Sequence, residues 1–137
     1  MIIMESNQVK EVFIDTNFFL LPFQFNVDIL EEFKIRLPNH KLVTTKFVIS
    51  ELKGLKNNKN SKTRLAASLG LKIAQSGEIE IRDIPLNQGE VVDDALIRVA
   101  NILATNDIEL RKKAKKNNLT IVYLRQKRYL AIDGDGY

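Results

Sequence analysis

Hydrophobic positions in this chain switch repeatedly between a strand-like and a helix-like period. Short apolar or alternating runs at Glu11–Ile14, Lys41–Val43, Glu78–Arg82, Ile102–Thr105 and Leu119–Leu124 predict strands. Between them the apolar residues recur at helical spacing, as Ile29, Leu30, Phe33 and Leu37 do. Helices are predicted over Phe18–Leu21 and over Asn26–Leu37, the second with Asn26 as N-cap and Pro38-Asn39 as its stop. Thr44 or Thr45 caps a helix carrying Phe47, Val48, Leu52 and Leu55. A polar, basic connection, Lys56–Lys62, leads to a helix capped by Ser61, running to about Ser76 and stopped by Gly77. After Pro85, Asn87 or Gln88 opens a helix containing Val91–Ala100, and Asn106-Asp107 starts another that runs to about Lys116. The tail Ile132–Tyr137 reads as a frayed end, since its Asp-Gly-Asp-Gly lacks the closing Glu of a calcium loop.

Strand and helix alternate without repeats or low-complexity segments. That order predicts an α/β fold with a mainly parallel central sheet and helices on both faces. With 137 residues the chain has room for one domain, 1–137. One connection is out of pattern. Ala100-Asn101 passes from a helix into Ile102–Thr105, fewer residues than a chain reversal ordinarily takes. Either Arg98–Asn101 unwind to make the turn, or the strand pairs with another subunit in a domain swap, or residues are missing from the sequence.

Composition narrows the chemistry. The chain is 45% hydrophobic and 28% charged, as expected of a folded, soluble protein. It has no cysteine, which excludes disulfides, thiolate nucleophiles and Cys-based zinc or iron–sulfur sites. Its single histidine, His40, falls in a turn, so a His-based metal site or a Ser-His-Asp triad has only that residue to build on. No apolar run is long enough to cross a bilayer, and residues 1–11 lack the features of a signal peptide; a cytoplasmic protein without a membrane partner is expected. The net charge of +4 is a mild hint of a polyanionic partner.

The acids say more. Asp15, Glu51, the Asp93-Asp94 pair and Asp107 each sit where a strand hands over to a helix or where a helix begins. Every one has an ordinary role open to it: a helix cap for Asp15 and Asp107, a solvated helix position for Glu51, a partner of the helix dipole for Asp93 and Asp94. Together they are harder to dismiss. In an open parallel sheet these handovers line the carboxyl edge of the strands, where ligands bind. Carboxylates converging there repel one another unless a cation or a raised pKa compensates, and their oxygens suit Mg²⁺ or Mn²⁺. By helical spacing Asp93 lies nearer the apolar stripe of its helix than Asp94 does.

Four motifs in order, Ile-Asp-Thr-Asn-Phe-Phe-Leu (14–20), Ser-Glu-Leu-Lys-Gly-Leu (50–55), Val-Asp-Asp-Ala-Leu-Ile-Arg-Val-Ala (92–100) and Ala-Thr-Asn-Asp-Ile-Glu-Leu (104–110), make the chain resemble a PIN domain. The resemblance covers nearly the whole chain and is nearest to the archaeal branch related to ribosome-maturation nucleases, with toxin-type PIN ribonucleases as relatives. It implies a three-layer PIN-like fold and a metal-dependent ribonuclease in which Asp15, Glu51, Asp93 and Asp107 hold one or two Mg²⁺ or Mn²⁺ ions. Asp94 is the alternative third ligand. The resemblance puts Asn17 and Thr105 beside the metal as residues that orient ligands or water. It implies RNA as the partner, a setting in rRNA or other RNA processing or turnover, and room for a homodimer.

RNA would arrive on basic groups. Lys53, Lys56, Lys59, Lys62 and Arg64 flank the Glu51 helix, and Arg111, Lys112, Lys113, Lys115 and Lys116 decorate the Asp107 helix. No aromatic-rich stripe resembles a stacking platform, so binding is expected to be led by phosphate and sensitive to salt. Two rival readings are a PIN module whose site the short connection has spoiled, leaving only binding, and a different acidic α/β enzyme. A phosphotransfer receiver wants paired acids near the first strand and a Lys after the last. A haloacid-type phosphatase wants an Asp where this chain has Asn17. Neither fits.

Overall fold

The computed structural model describes residues 9–137, and the reading of the first eight residues lies outside them. Among the described residues, six strands make one sheet in the order β3-β2-β1-β4-β5-β6. These are β1 (Lys10–Ile14), β2 (His40–Thr45), β3 (Glu80–Arg82), β4 (Ile102–Ala104), β5 (Thr120–Arg125) and β6 (Tyr129–Asp133). Every neighbouring pair is parallel except β5 with β6. Val12, Phe13 and Ile14 are all buried, as befits a central parallel strand covered on both faces.

Among the described residues, six helices accompany the sheet: α1 (Leu21–Phe25), α2 (Ile29–Arg36), α3 (Lys46–Leu55), α4 (Ser61–Ala74), α5 (Val92–Val99) and α6 (Ile108–Lys116). Right-handed crossovers place α1 to α4 on one face of the sheet, and α5 and α6 on the other, giving three layers. A 3-10 turn, Thr16–Leu20, joins β1 to α1. The chain runs outward from β1 through β2 to β3, then returns to lay β4 on the other side of β1. That reversal opens a crevice beyond the carboxyl ends of β1 and β4.

Local chemistry explains where the elements begin. Asp28, not Asn26, caps α2 by accepting from Glu31 N at 3.1 Å; Asn26 ends α1 in a left-handed conformation. Thr45 caps α3, and Asn60 rather than Ser61 caps α4, accepting from Thr63 N at 3.0 Å. Helix α5 begins later than the sequence predicts. Asn87–Glu90 instead form a turn with Gly89 at φ +72, whose Glu90 carboxylate binds Asn87 N and Arg98. Gly70 lets α4 approach the 3-10 turn, for a Cβ there would lie 2.5 Å from Phe19 O.

The irregular connection resolves simply. Helix α5 keeps Arg98 and Val99, Ala100 is extended, and Ala100-Asn101 alone make the turn. Strand β4 then pairs with β1 and β5 of its own chain, so no swap is required. The tail is not frayed. Residues 129–133 form β6, turned back on β5 through Gln126 and Lys127, both at positive φ. Sequence reasoning missed this hairpin because its turn carries none of the Gly, Asn or Pro that usually mark one.

Candidate active site

Asp15 leaves β1 at the crevice. Its backbone N donates to Ala104 O at 3.0 Å, extending the β1–β4 ladder by one residue. One carboxylate oxygen accepts from Thr16 N at 2.7 Å, capping the 3-10 turn, and the other from Thr105 Oγ1 at 2.8 Å. So held, Asp15 is only 4% exposed. Burial pushes its carboxyl up to about 6, and the charges of Asp93 and Glu51 push the same way, against the two hydrogen bonds.

Two threonines tie this acid to others. Thr16, itself buried, donates from Oγ1 to Glu51 Oε1 on the exposed side of α3. Thr105, fully buried, accepts from Asp107 N at 3.1 Å while donating to Asp15. Asp107 spends Oδ1 on Leu110 N at 3.0 Å as the cap of α6. Between Thr105 and Asp107, Asn106 mimics a strand residue: its Oδ1 accepts from Leu124 N at 2.6 Å and its Nδ2 donates to Leu124 O at 3.4 Å. The loop carrying Asp107 is thereby fastened to the end of β5. Thr16 and Asn106 were missed from sequence, although each lies between two residues already singled out.

Asp93 and Asp94, neighbours in the first turn of α5, part company. Asp93 is half-buried, and its carboxyl is raised by burial and then by Asp107, with Lys113 opposing. It lines an open cleft of about 320 Å³ together with Asp15, Thr16, Asn17, Glu51, Gly54 and Leu55. Asp94 is exposed and ion-paired with Lys113 Nζ at 3.1 Å. Asn17 is exposed at the rim. His40 lies at the start of β2, the opposite edge, with Nε2 2.8 Å from Tyr137 Oη.

The acids share a rim rather than a closed shell: among the described residues, no three acidic or histidine side chains are grouped tightly enough to make a ready-formed metal cage. Their character nonetheless suits a hard cation, being all oxygen donors around a buried carboxyl of raised pKa, with no basic residue in the cleft lining.

The basic residues divide. Lys53, Lys56, Lys59 and Lys62 are exposed and form no ion pair among the described residues. Arg64 is committed to structure, donating to Asn58 O and Lys59 O and so closing the connection between α3 and α4. Arg111 stacks on Tyr123 at 4.0 Å, while Lys112 and Lys115 face Glu109 and Asp133.

Comparison with known proteins agrees with this architecture. A family described as "PIN like domain" matches residues 12–127. Ribonuclease VapC4 of Methanocaldococcus jannaschii is 28% identical over 126 residues, spanning 88% of this chain and 94% of the relative. Ribonuclease VapC9 of Archaeoglobus fulgidus is 26% identical over 132 residues, 93% of each. The solved PIN domain endonuclease Utp24 superposes with a TM-score of 0.72 over 90% of both chains at 23% identity, a likeness of fold. Among the described residues, no helix is long and apolar enough to cross a membrane.

Proposed function

The chain belongs to the PIN-like domain family, and from that premise we propose that it hydrolyses RNA phosphodiester bonds with Mg²⁺ or Mn²⁺ held by Asp15, Glu51, Asp93 and Asp107. The observation that carries this reading is the state of Asp15. A carboxylate buried beside Asp93 and Glu51, its proton affinity raised and no basic side chain in its cleft, is costly to the fold unless something else repays it. The two ribonuclease names among the relatives support the reaction class.

A divalent ion bound there would make a water nucleophilic at neutral pH and stabilise charge on the phosphate and leaving oxygen. The chain's own residues do the rest. Thr16 and Thr105 fix the carboxylates of Glu51 and Asp15 and fill lone pairs that would otherwise swing away. Glu51 is exposed and Asp107 keeps one oxygen clear of its capping bond, so both would be free to contribute an oxygen to a bound ion alongside Asp15 and Asp93. Asp93, half-buried and with raised proton affinity, would take the proton of an attacking water through a carboxylate oxygen not engaged with the ion. Lys53, Lys56, Lys59 and Lys62 supply uncommitted charge for the phosphate backbone. Processing or turnover of cellular RNA is the setting we assign to this activity.

The test is cleavage of an end-labelled RNA containing single-stranded and hairpin regions, in Mg²⁺, Mn²⁺ or EDTA, with Asp15→Asn purified alongside. Metal-dependent cutting that disappears in Asp15→Asn is the expected result. Equal cutting by both proteins, or none in any metal, overturns the reading and leaves a binding module.

A further inference from the structure

Asp107 is carried by the loop Thr105–Asp107 between β4 and α6, and the middle residue of that loop is attached in an unusual way. Strands β4 and β5 form a regular parallel ladder as far as Thr105, whose N donates to Val122 O at 2.9 Å. The next bond of such a ladder would run from Leu124 N to the carbonyl of Thr105. It runs instead to the side chain of Asn106. Oδ1 accepts from Leu124 N at 2.6 Å, and Nδ2 donates to Leu124 O at 3.4 Å. The amide thus stands in for one residue of strand while its own backbone turns away to start α6.

Filling two backbone groups of a buried residue is useful to any fold, and Leu124 is buried. Two features point further. The first is attachment at two points. A single bond leaves a pivot, whereas a donor and an acceptor on one planar amide fix the loop both along β5 and about it. Asparagine alone suits the position: Asp has no donor for Leu124 O, Ser is too short to reach both groups, and Gln carries its amide one methylene further out.

The second feature is what the attachment holds. Thr105 Oγ1 donates to Asp15 at 2.8 Å and accepts from Asp107 N at 3.1 Å, and Asp107 Oδ1 accepts from Leu110 N at 3.0 Å. Those bonds orient Asp107 within its loop and against α6. Beyond Thr105 N, the Leu124 pair is what ties the loop to the sheet among the described residues. Position matters here because Mg²⁺ holds its oxygens at about 2.0–2.1 Å in near-ideal octahedral geometry and tolerates little displacement.

We propose that Asn106 is a positioning residue of the metal site. By holding the loop to Leu124 it sets where the free oxygen of Asp107 stands relative to Asp15, and so sets the affinity for a divalent ion. It acts through Asp107 and touches neither ion nor RNA. The inference deepens the ribonuclease reading and rests on it for the ion.

The test is Mn²⁺ binding to the full chain, with the free ion read by electron paramagnetic resonance. The parent is compared with Asn106→Ala, Asn106→Ser, Asp15→Asn and Asn60→Ala. The last is a control for a lost bond of the same kind, since Asn60 caps α4 and its bonds reach no acid of the site. The dissociation constant should rise by about 10–100-fold in both Asn106 variants and stay at the parental value in Asn60→Ala. Cleavage should return most of the way to the parental rate once Mn²⁺ saturates each Asn106 variant, because every acid is still present. Asn106 variants that melt lower yet bind Mn²⁺ as tightly as the parent overturn the proposal and leave Asn106 a residue of the fold. An equal loss of affinity in Asn60→Ala overturns it as well, since any weakened fold would then do the same. Should Asn106→Ala fail to fold, Asn106→Ser, which keeps one hydroxyl for Leu124, carries the comparison. Cleavage keeps the two readings apart. Affinity that depends on Asn106 in a protein that cuts no RNA removes the nuclease and leaves the positioning role. Cutting that is lost in Asp15→Asn, with Mn²⁺ affinity indifferent to Asn106, does the reverse. A parent that binds no Mn²⁺ overturns both.

Discussion

Two sets of acids in this molecule meet opposite electrical surroundings within one sheet. Glu11 and Glu80, on β1 and β3, share Arg82: its guanidinium donates to both carboxylates, and Lys41 on the intervening strand pairs with Glu80. Those bonds hold Glu11 below the usual carboxylate range and Glu80 down at about 2. Asp15, at the end of the same β1, meets two threonine residues, two other acids and no cation, and its carboxyl rises to about 6. The first set is arranged as acids are where charge serves the fold. The second is arranged as they are where charge is kept for something else to use. That difference is the ground on which we propose the carboxyl edge as the working end of the molecule.

The strongest way to break the contrast is to neutralise Asp15. Asp15→Asn should lower RNA cleavage by about 10³-fold or more while leaving the fold intact, measured as initial rates in Mn²⁺. An Asn fits the same bonds, its Oδ1 accepting from Thr16 N and its Nδ2 donating to Thr105 Oγ1. The adjacent pair in α5 gives a narrower version. Asp93→Asn should cost about 10²-fold, whereas Asp94→Asn, whose carboxylate only faces Lys113, should stay within about threefold of the parent. Equal losses in both variants would contradict the division of roles read from the cleft.

Stability should run the other way. Asp15 binds its proton more tightly folded than unfolded, at about 6 against an ordinary 3.8. Below about pH 4 both states are protonated. As pH rises from about 4 to about 6, the unfolded state releases its proton first, and the fold loses stability through this residue. The pKa difference caps that loss at about 3 kcal/mol, and coupling to Asp93 and Glu51 brings the expected value to about 1–3 kcal/mol. Metal-free Asp15→Asn should therefore be more stable than the parent at pH 7 by that amount, with the advantage gone at pH 4. Denaturant melts in EDTA at the two pH values decide it. A variant less stable than the parent at pH 7 would mean that Asp15 is a fold-building residue after all.

The packing that carries the site is open to a test of similar size. Gly70→Ala should destabilise by about 1–3 kcal/mol, although Ala is the better helix former, because the added Cβ meets the backbone of Phe19 in the turn that follows Asp15. A melting temperature equal to or above the parent's would show that the 3-10 turn yields without cost.

Much of this was legible in advance, and the limits have physical reasons. The alternation of apolar runs with helical spacing was enough for an α/β fold with a mainly parallel sheet, since each parallel connection needs a helix. Helix starts were less legible where several capping residues compete: Asn26 and Asp28 offer the same oxygen chemistry, and only the geometry of the chain chooses Asp28. The acids were visible as residues at strand–helix handovers, and the resemblance put Thr105 beside them, but Thr16, which joins Asp15 to Glu51, was not foreseen. A hydroxyl next to a carboxylate in sequence says nothing about which other strand or helix it will reach. Asp93 and Asp94 could be ranked by helical spacing alone, whereas the commitment of Asp94 to Lys113 depends on α5 lying against α6. The antiparallel β6 was hidden by a turn built from residues that disfavour its conformation.

The smallest effect sharpens the comparison from the other side. Arg82→Met removes the cation shared by Glu11 and Glu80, along with its approach to the Phe13 ring at 5.7 Å. Both carboxylates have depressed pKa values, so their pairing contributes stability above the ordinary glutamate value of 4.5, and that contribution fades as pH falls toward about 2. The slope is opposite in sign to that of Asp15. Because the cluster is open to water, screening leaves little of the attraction, and the variant should melt no more than about 3 °C below the parent at pH 7 and low salt. Raising the salt to about 1 M, where the Debye length is near 3 Å, should shrink the deficit further. RNA cleavage should be unchanged, since no group of this cluster lines the acidic cleft. A large loss of cleavage with only a small change in melting would show that the two sets of acids are coupled through β1, and the contrast between them would then describe one site rather than two.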